Sequence, residues 1–236
     1  MRGESGHSKV SQSVAPQRAL RVVELNLHPA RYAHRSWYHD ALRDPKLAPV
    51  MLDELGGVPA RLEPYVSRWL LEELGLSSEL DWDMQEPQKR VWLLDRPSLE
   101  RLALELALAM HREWLVQIIE SARLRVLAAS VGAEALRFVI EEIPTGCFHY
   151  QAPLVSFETN PPRDVGAELR EQGARTLMAL LEPAWLAVRG RAQLFFDRAR
   201  GLGEVPVLEP ALGRRALDLI CHRLIPRRFP EWAWCF

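Results

Sequence analysis

The sequence has few lysines, few cysteines and almost no net charge, and each shortage excludes a class of protein. Arginine supplies nearly all of the positive charge, because lysine occurs only three times. With a formal net charge of -1, the chain has no general attraction for nucleic acid or for an anionic membrane. The cysteines, Cys147, Cys221 and Cys235, are odd in number and far apart. That pattern argues against a disulfide framework and favours a reducing compartment.

Long apolar segments are also lacking. The longest, Leu102–Met110, is short and interrupted by Glu105, so no membrane-spanning helix is expected. The first twenty residues contain no apolar core of a signal peptide. They are rich in Ser, Gln and Gly and show no periodicity, which predicts a disordered tail over residues 1–22. The sequence therefore predicts one domain over residues 23–236, located in the cytoplasm.

Helical periodicity is what the sequence does contain. After Pro97, apolar residues recur at three- and four-residue steps and predict a long helix to about Ala128. Further helices are predicted from Pro29 to Leu42, over residues 130–143, from Asp164 with a break at Pro183, and over residues 211–225, closed by Pro226. One short β-hairpin could form near residues 145–158. The predicted fold class is all-α, in a mainly helical single domain.

Histidines and cysteines are the residues that a small helical metal-dependent or hydrolytic enzyme would use. His34 and His39, in the segment LHPARYAHRSWYHD, are five residues apart and would diverge by about 140° on a helix. Neither Cys147-x-His149 nor Cys221-His222 has the spacing of a typical zinc site. No phosphate-binding loop, nucleophile elbow or HExxH motif occurs. No catalytic, cofactor-binding or metal-binding residue is predicted, and an enzyme remains the first alternative to a binding protein.

Charge is concentrated in two stretches. Residues 72–86 are acidic without any basic residue, which predicts a solvated face or loop, or a surface for a basic partner. Arginines near the C-terminus would suit a helical nucleic-acid-binding regulator, the second alternative, although Asp218 and Glu231 dilute them. Tryptophan is common at interface hot spots. The candidate partner-binding residues are therefore Glu79, Asp81, Asp83, Trp232 and Trp234. Alanine at all three acidic candidates is expected to leave the fold intact.

Four segments, in a fixed order, resemble the SctK family of type III secretion proteins, which includes YscK and PscK. They are LHPARYAH, LALELALAMHREWLVQIIESARLRVLAASVGAEALRFVIEE, REQGARTLMALLEPAW and LDLICHRLIPRRFPEW. Together they cover most of residues 24–232. The polar N-terminal extension, the segment TGCFHYQAPLVSFETNPP and the aromatic C-terminus depart from the family's pattern.

The resemblance implies a non-enzymatic cytoplasmic adaptor of a bacterial injectisome, at the cytoplasmic face of the inner membrane. Such an adaptor links the sorting platform to the inner-membrane ring of the basal body. The implied partners are the forkhead-associated-like cytoplasmic domain of the ring protein SctD and the sorting-platform protein SctQ. The resemblance implies no cofactor and no nucleic acid, and contact with the membrane only through partners. It assigns no residue-level binding site.

Overall fold

A computed structural model describes residues 8–38, 58–118, 121–148, 164–198, 205 and 207–236. In these ranges every regular element is helical, and the fold class is all-α, as the sequence predicts. The α-helices are α1 (Ser8–Leu27), α2 (Glu63–Glu73), α3 (Pro87–Arg90), α4 (Arg96–Met110), α5 (Arg112–Leu115), α6 (Ser121–Val131), α7 (Ala133–Glu142), α8 (Val165–Ala179), α9 (Leu186–Gln193), α10 (Pro210–Leu219) and α11 (Ile225–Arg228).

Two compact units make up the chain. Unit 1 comprises Met1–Arg96, Pro183–Gly201 and Glu231–Phe236. Unit 2 comprises Pro97–Glu182 and Leu202–Pro230. The sequence predicts a single domain over residues 23–236, whereas the structure divides the chain into two units. The bounds of the predicted domain stay a prediction.

The first helix of unit 1 occupies residues for which the sequence predicts a disordered tail. Val22 and Leu25, three residues apart on one face of α1, are 7% and 2% exposed. The Tyr32 hydroxyl donates to the Leu25 carbonyl, and the Arg18 guanidinium donates to the Met84 carbonyl. Residues 8–22 are thus helical in the structure, and the contacts of Arg18, Val22 and Leu25 join the C-terminal part of α1 to other parts of unit 1. Residues 1–7 lie outside the described residues.

The segment after α1 does not form the single helix predicted from Pro29 to Leu42. It forms two short 3₁₀ turns, Pro29–Arg31 and Arg35–Trp37. His34 between them is extended, with φ −64° and ψ 139°, and its N–H donates to the Leu194 carbonyl at 2.6 Å. The His34 N–H thus bonds a carbonyl that is distant in sequence and not one in the preceding helical turn. The predicted helix is therefore interrupted at His34. Residues 39–42 lie outside the described residues.

The apolar face predicted after Pro97 forms the core of unit 2. Leu99, Leu102 and Leu106 on α4 are all 0% exposed. The predicted length to Ala128 is wrong, because α4 ends at Met110. His111 departs from helical geometry, with φ −96° and ψ 8°, before the short helix α5 begins. The periodicity therefore identifies the buried face, but it does not reveal the break within that face.

Glycine allows α8 to approach α4 closely. A Cβ atom added at Gly173 would lie 1.8 Å from the Ala103 carbonyl oxygen. Two backbones come together at this point, which only a residue without a side chain permits. The predicted start of α8 is confirmed, because the Asp164 side chain caps the helix by accepting from the Ala167 N–H at 3.0 Å.

Helix α7 ends at Glu142, before Pro144, as the sequence predicts. Gly146 follows in a turn with φ 78°. Most of the β-hairpin predicted near residues 145–158 falls on residues 149–158, which are outside the described residues.

The helix predicted to stop at Pro226 continues past it. A π-helical turn, Ile220–Leu224, joins α10 to α11, and Pro226 lies inside α11. Proline has no N–H to donate and crowds the carbonyl four residues earlier, so a regular α-helix would be strained there. The wider π turn supplies a different bond, from the Ile225 N–H to the Ile220 carbonyl, and the chain stays helical.

Candidate functional site

The histidines that a metal or catalytic site would require make separate, local contacts. His28 Nδ1 lies 2.7 Å from Glu63 Oε1, and His34 Nδ1 lies 2.7 Å from Ser36 Oγ. His39 is outside the described residues. Within the part of the chain that the structure describes, no group of three or more His, Cys, Asp or Glu residues could hold a metal ion.

His111 is a core histidine. It is 1% exposed, and its Nε2 lies 2.7 Å from Gln172 Oε1. Burial lowers the pKa of His111, although the hydrogen bond to Gln172 and the charge of Glu168 oppose that shift. The imidazole is therefore neutral near pH 7, and its contact with Gln172 joins the end of α4 to α8.

None of the three cysteines forms a disulfide within the described residues, and the three differ in exposure. Cys147 and Cys221 are partly exposed, and His149, the neighbour of Cys147, is outside the described residues. Cys235 is buried, and burial raises the pKa of its thiol to about 12. A thiol with that pKa is protonated at neutral pH and chemically inert.

Two of the C-terminal arginines proposed for nucleic-acid binding are paired within unit 2. Arg228 donates from Nε and Nη2 to the fully buried Glu105 carboxylate, at 3.0 to 3.2 Å, and from Nη1 to Glu134. Arg227 bonds Glu142. Because their charges meet carboxylates of the same unit, these two arginines contribute little to a basic stripe.

The acidic stretch forms a loop between α2 and α3, and its centre is tied to α1. The Asn26 side chain donates to the Asp81 carbonyl at 2.8 Å and accepts from the Asp81 N–H at 3.0 Å. Lys89, only 6% exposed, binds Asp81 Oδ2 at 2.6 Å and the Asp83 carbonyl at 3.1 Å. Asp81 is thus an internal anchor of the loop, and its role in partner binding stays a prediction.

A buried arginine completes this junction. Arg191 on α9 is 1% exposed and donates to the Asn26 carbonyl at 3.2 and 3.3 Å and to the Leu76 carbonyl at 3.2 Å. Burial lowers its pKa, opposed by the charges of Tyr32, Glu79 and Asp81. We call Asn26, Asp81, Lys89 and Arg191 the Asn26 hub. The hub joins α1, the acidic loop, α3 and α9 within unit 1.

Exposed apolar side chains are adjacent in sequence to residues of the Asn26 hub or to a residue in contact with it. Leu27 follows Asn26 and is 42% exposed, while Leu80 and Trp82 flank Asp81 and are 43% and 52% exposed. Leu186 is 64% exposed and follows Trp185, whose ring lies 4.9 Å from Lys89 Nζ. Glu79 and Asp83 are exposed beside them. The sequence analysis identified these two acids but missed the apolar residues, although Trp82 within an acidic run was an available signal.

The two tryptophans predicted as partner anchors pack within unit 1. Trp232 is 5% exposed, and the Arg21 guanidinium lies 4.9 Å from the centre of its ring. The Trp234 ring lies 5.8 Å from that of Trp232. Arg18, one helical turn before Arg21, bonds the acidic loop at the Met84 carbonyl. Trp232 and Trp234 lie in the 3₁₀ helix Pro230–Cys235. The structure therefore brings this 3₁₀ helix and the acidic loop to neighbouring positions along α1.

A cavity of about 270 Å³ lies elsewhere in unit 1. Its lining includes Tyr32, Trp92 and Phe195, with Arg21, Glu24 and Arg31 among its polar residues. Both arginines bind Glu24, at 2.8 and 2.9 Å. The charges of these residues are thus satisfied within the protein.

The model of the family "YOP proteins translocation protein K (YscK)" matches residues 19–221. The chain belongs to the YscK family. No curated protein and no solved structure matches it. The YscK match includes the whole Asn26 hub and the exposed residues around it, and it ends before Trp232 and Trp234.

Membership of the YscK family makes the chain a type III secretion protein. Among the helices that the structure describes, none is long and apolar enough to cross a membrane.

Proposed function

We propose that this chain is a non-enzymatic cytoplasmic adaptor of a type III secretion system. It binds the cytoplasmic forkhead-associated-like domain of SctD and the sorting-platform protein SctQ. In this way it links the sorting platform to the inner-membrane ring, and it reaches the membrane only through these partners.

The family match over residues 19–221 is the observation that carries the proposal. The chemistry of the described side chains supports it. The imidazoles of His28, His34 and His111 are engaged with Glu63, Ser36 and Gln172, at 2.7 Å in each case. The contacts of His28 and His111 join elements that are distant in sequence, and His34 caps the 3₁₀ turn Arg35–Trp37. Each of the three imidazoles therefore has a structural use.

The exposed side chains also suit a binding protein. Trp82, Leu80 and Leu186 expose roughly half of their surface or more, next to the acids Glu79 and Asp83. Exposed aromatic and aliphatic side chains with a charged border are typical of protein interfaces.

Binding and secretion assays test the proposal together. The purified chain is titrated separately with the SctD cytoplasmic domain and with SctQ, by isothermal titration calorimetry. In the source bacterium, deletion of the gene is expected to stop secretion and to disperse fluorescent SctQ, while fluorescent SctD rings remain. Expression of the gene from a plasmid, as the control, is expected to restore both. A chain that binds neither protein, with secretion intact in the deletion strain, would refute the adaptor function.

A further inference from the structure

We propose that the exposed residues around the Asn26 hub form a docking surface for a protein with an apolar pocket bordered by arginine or lysine. The surface consists of Leu27, Leu80, Trp82, Leu186, Glu79 and Asp83, and we call it the Trp82 surface. The proposal deepens the adaptor function above and rests on it, since it assigns partner binding to one place on the chain.

The acidic loop is held in place before any partner binds. Asn26 bonds the Asp81 backbone through both ends of its amide, and Lys89 bonds the Asp81 carboxylate and the Asp83 carbonyl. Arg18 and Arg90 both donate to the Met84 carbonyl, at 2.7 and 2.9 Å. A partner that binds such a loop orders little additional backbone, so the entropic cost of binding is small.

The apolar residues are concentrated at one junction. Single exposed hydrophobic residues are common on protein surfaces and need no explanation. Here, Leu27, Leu80 and Trp82 are each one residue from the bonded pair Asn26 and Asp81. Leu186 is one residue from Trp185, which contacts Lys89, the residue that binds Asp81. The loop buries Met84, at 5% exposed, while Trp82 projects into solvent at 52%.

The outward charge of the loop is negative. Glu79, Asp83 and Glu86 are exposed, whereas the two cations of the hub, Lys89 and Arg191, are 6% and 1% exposed. The half-buried Arg18 and Arg90 also bond this loop, at the Met84 carbonyl, and the three exposed acids outnumber them. The buried cations bond carbonyl and carboxylate oxygens of the protein itself. A complementary partner therefore presents arginine or lysine around the pocket that receives Trp82.

The same charges disfavour two other occupants. In a symmetric dimer built on the Trp82 surface, the acids of one copy would face those of the other, because the two patches are identical. An anionic lipid surface would be repelled for the same reason. A basic protein surface satisfies both the apolar and the acidic side chains.

The first experiment removes the apolar side chains. The variant Leu80→Ala/Trp82→Ala is titrated separately with the SctD cytoplasmic domain and with SctQ, beside Tyr65→Ala as the matched control. Tyr65 is also in unit 1 and is 62% exposed. The double variant is expected to bind one of the two probes at least about tenfold more weakly, as for a hot-spot residue. Tyr65→Ala is expected to bind both as the wild type does, and the urea midpoints of all three proteins are expected to agree.

The second experiment removes outward charge. Glu79→Gln/Glu86→Gln is expected to weaken binding of the same probe and to reduce the dependence of its Kd on salt concentration. Wild-type affinity of the Leu80→Ala/Trp82→Ala variant for both probes would overturn the proposal while leaving the adaptor function in place. A wild-type dimer that this variant dissociates would overturn it in favour of a second copy. If the wild type binds neither probe, the adaptor function fails, and the docking proposal falls with it.

Discussion

Gly173→Ala tests the closest approach between two helices in unit 2. The new Cβ atom would lie 1.8 Å from the Ala103 carbonyl oxygen, 2.4 Å from its carbonyl carbon and 2.9 Å from its Cα. Ordinary contacts of a Cβ begin at 3.4 Å, so α8 and α4 would have to separate locally by about 1.6 Å. All three atoms belong to backbone, and no side-chain rotation can relieve the clash.

The magnitude follows from two opposing effects. Alanine favours the helix over glycine by about 1 kcal/mol. Overpacking of a tight core costs about 1–3 kcal/mol, and occasionally more where backbone must move. The separation would also loosen Leu102 and Leu106 of α4 and Leu177 of α8, which are at most 1% exposed. Because the clash involves backbone atoms only, we take the upper end of the overpacking range, about 3 kcal/mol. Less the gain of about 1 kcal/mol in helix propensity, Gly173→Ala is expected to lower the free energy of unfolding by about 2 kcal/mol.

Urea unfolding followed by circular dichroism measures this effect. A loss of that size is expected to lower the midpoint by about 1 M, because m-values in urea are about 1–3 kcal/mol/M. Gly213→Ala on α10 is the matched control. A Cβ atom there would meet only Leu180 Cδ2, at 3.9 Å, so that variant is expected to be neutral or slightly stabilised. If Gly173→Ala unfolds at the wild-type midpoint, the close approach of α8 and α4 is not required for stability.

Three further predictions concern buried charge. Leu106→Asp is expected to prevent stable folding, because an unpaired carboxylate at a 0% exposed position costs several kcal/mol. The variant is expected to lose soluble protein and near-UV circular dichroism, and a cooperatively folded variant would contradict this prediction. Asp81→Ala is expected to cost about 1–3 kcal/mol because Lys89 loses its carboxylate, whereas the exposed Glu79→Ala is expected to stay within about 0.5 kcal/mol of wild type in the same urea assay. Burial raises the pKa of Glu63, but hydrogen bonds with His28 and Arg31 outweigh burial and lower that pKa below its ordinary value of 4.5. The charged carboxylate therefore stabilises the fold above pH 4.5, and Glu63→Gln removes that stabilisation. The difference in urea midpoint between the wild type and Glu63→Gln is expected to disappear as the pH falls through the lowered pKa of Glu63. A difference that stays the same at every pH would refute the role of this carboxylate.

The buried faces of the helices were predictable, but several helix boundaries were not. Leu99, Leu102 and Leu106 are buried as their spacing predicts, since three- and four-residue steps bring residues to one face of any helix. The extended backbone at His34 depends on the Leu194 carbonyl, which is 160 residues away in the chain. Local pattern contains no information about such an acceptor. The π turn that carries the chain past Pro226 was likewise outside the reach of a rule that treats proline as a stop.

The candidate site was also predictable only in part. The acidic run at residues 72–86 drew attention to Glu79 and Asp83, and both are exposed. Asp81 has the same chemistry and alternates with them, yet it faces Lys89, because Asn26 on another helix fixes the backbone on either side of it. Contacts between residues that are distant in sequence decide whether Asp81 or its neighbours face solvent. The pattern of charged residues in the sequence does not reveal those contacts.

The sequence by itself determined the all-α class, the apolar face of α4 and the YscK family, because helical periodicity and segment order are local properties of the chain. Tertiary structure decided which of its charged and aromatic residues are available to a partner. Trp82 and Trp232 both stand beside acidic residues in the sequence, but only Trp82 is exposed, since Trp232 lies under Arg21 of α1. A side chain becomes available for binding when no other element of the fold covers it, and that depends on residues far away in the chain.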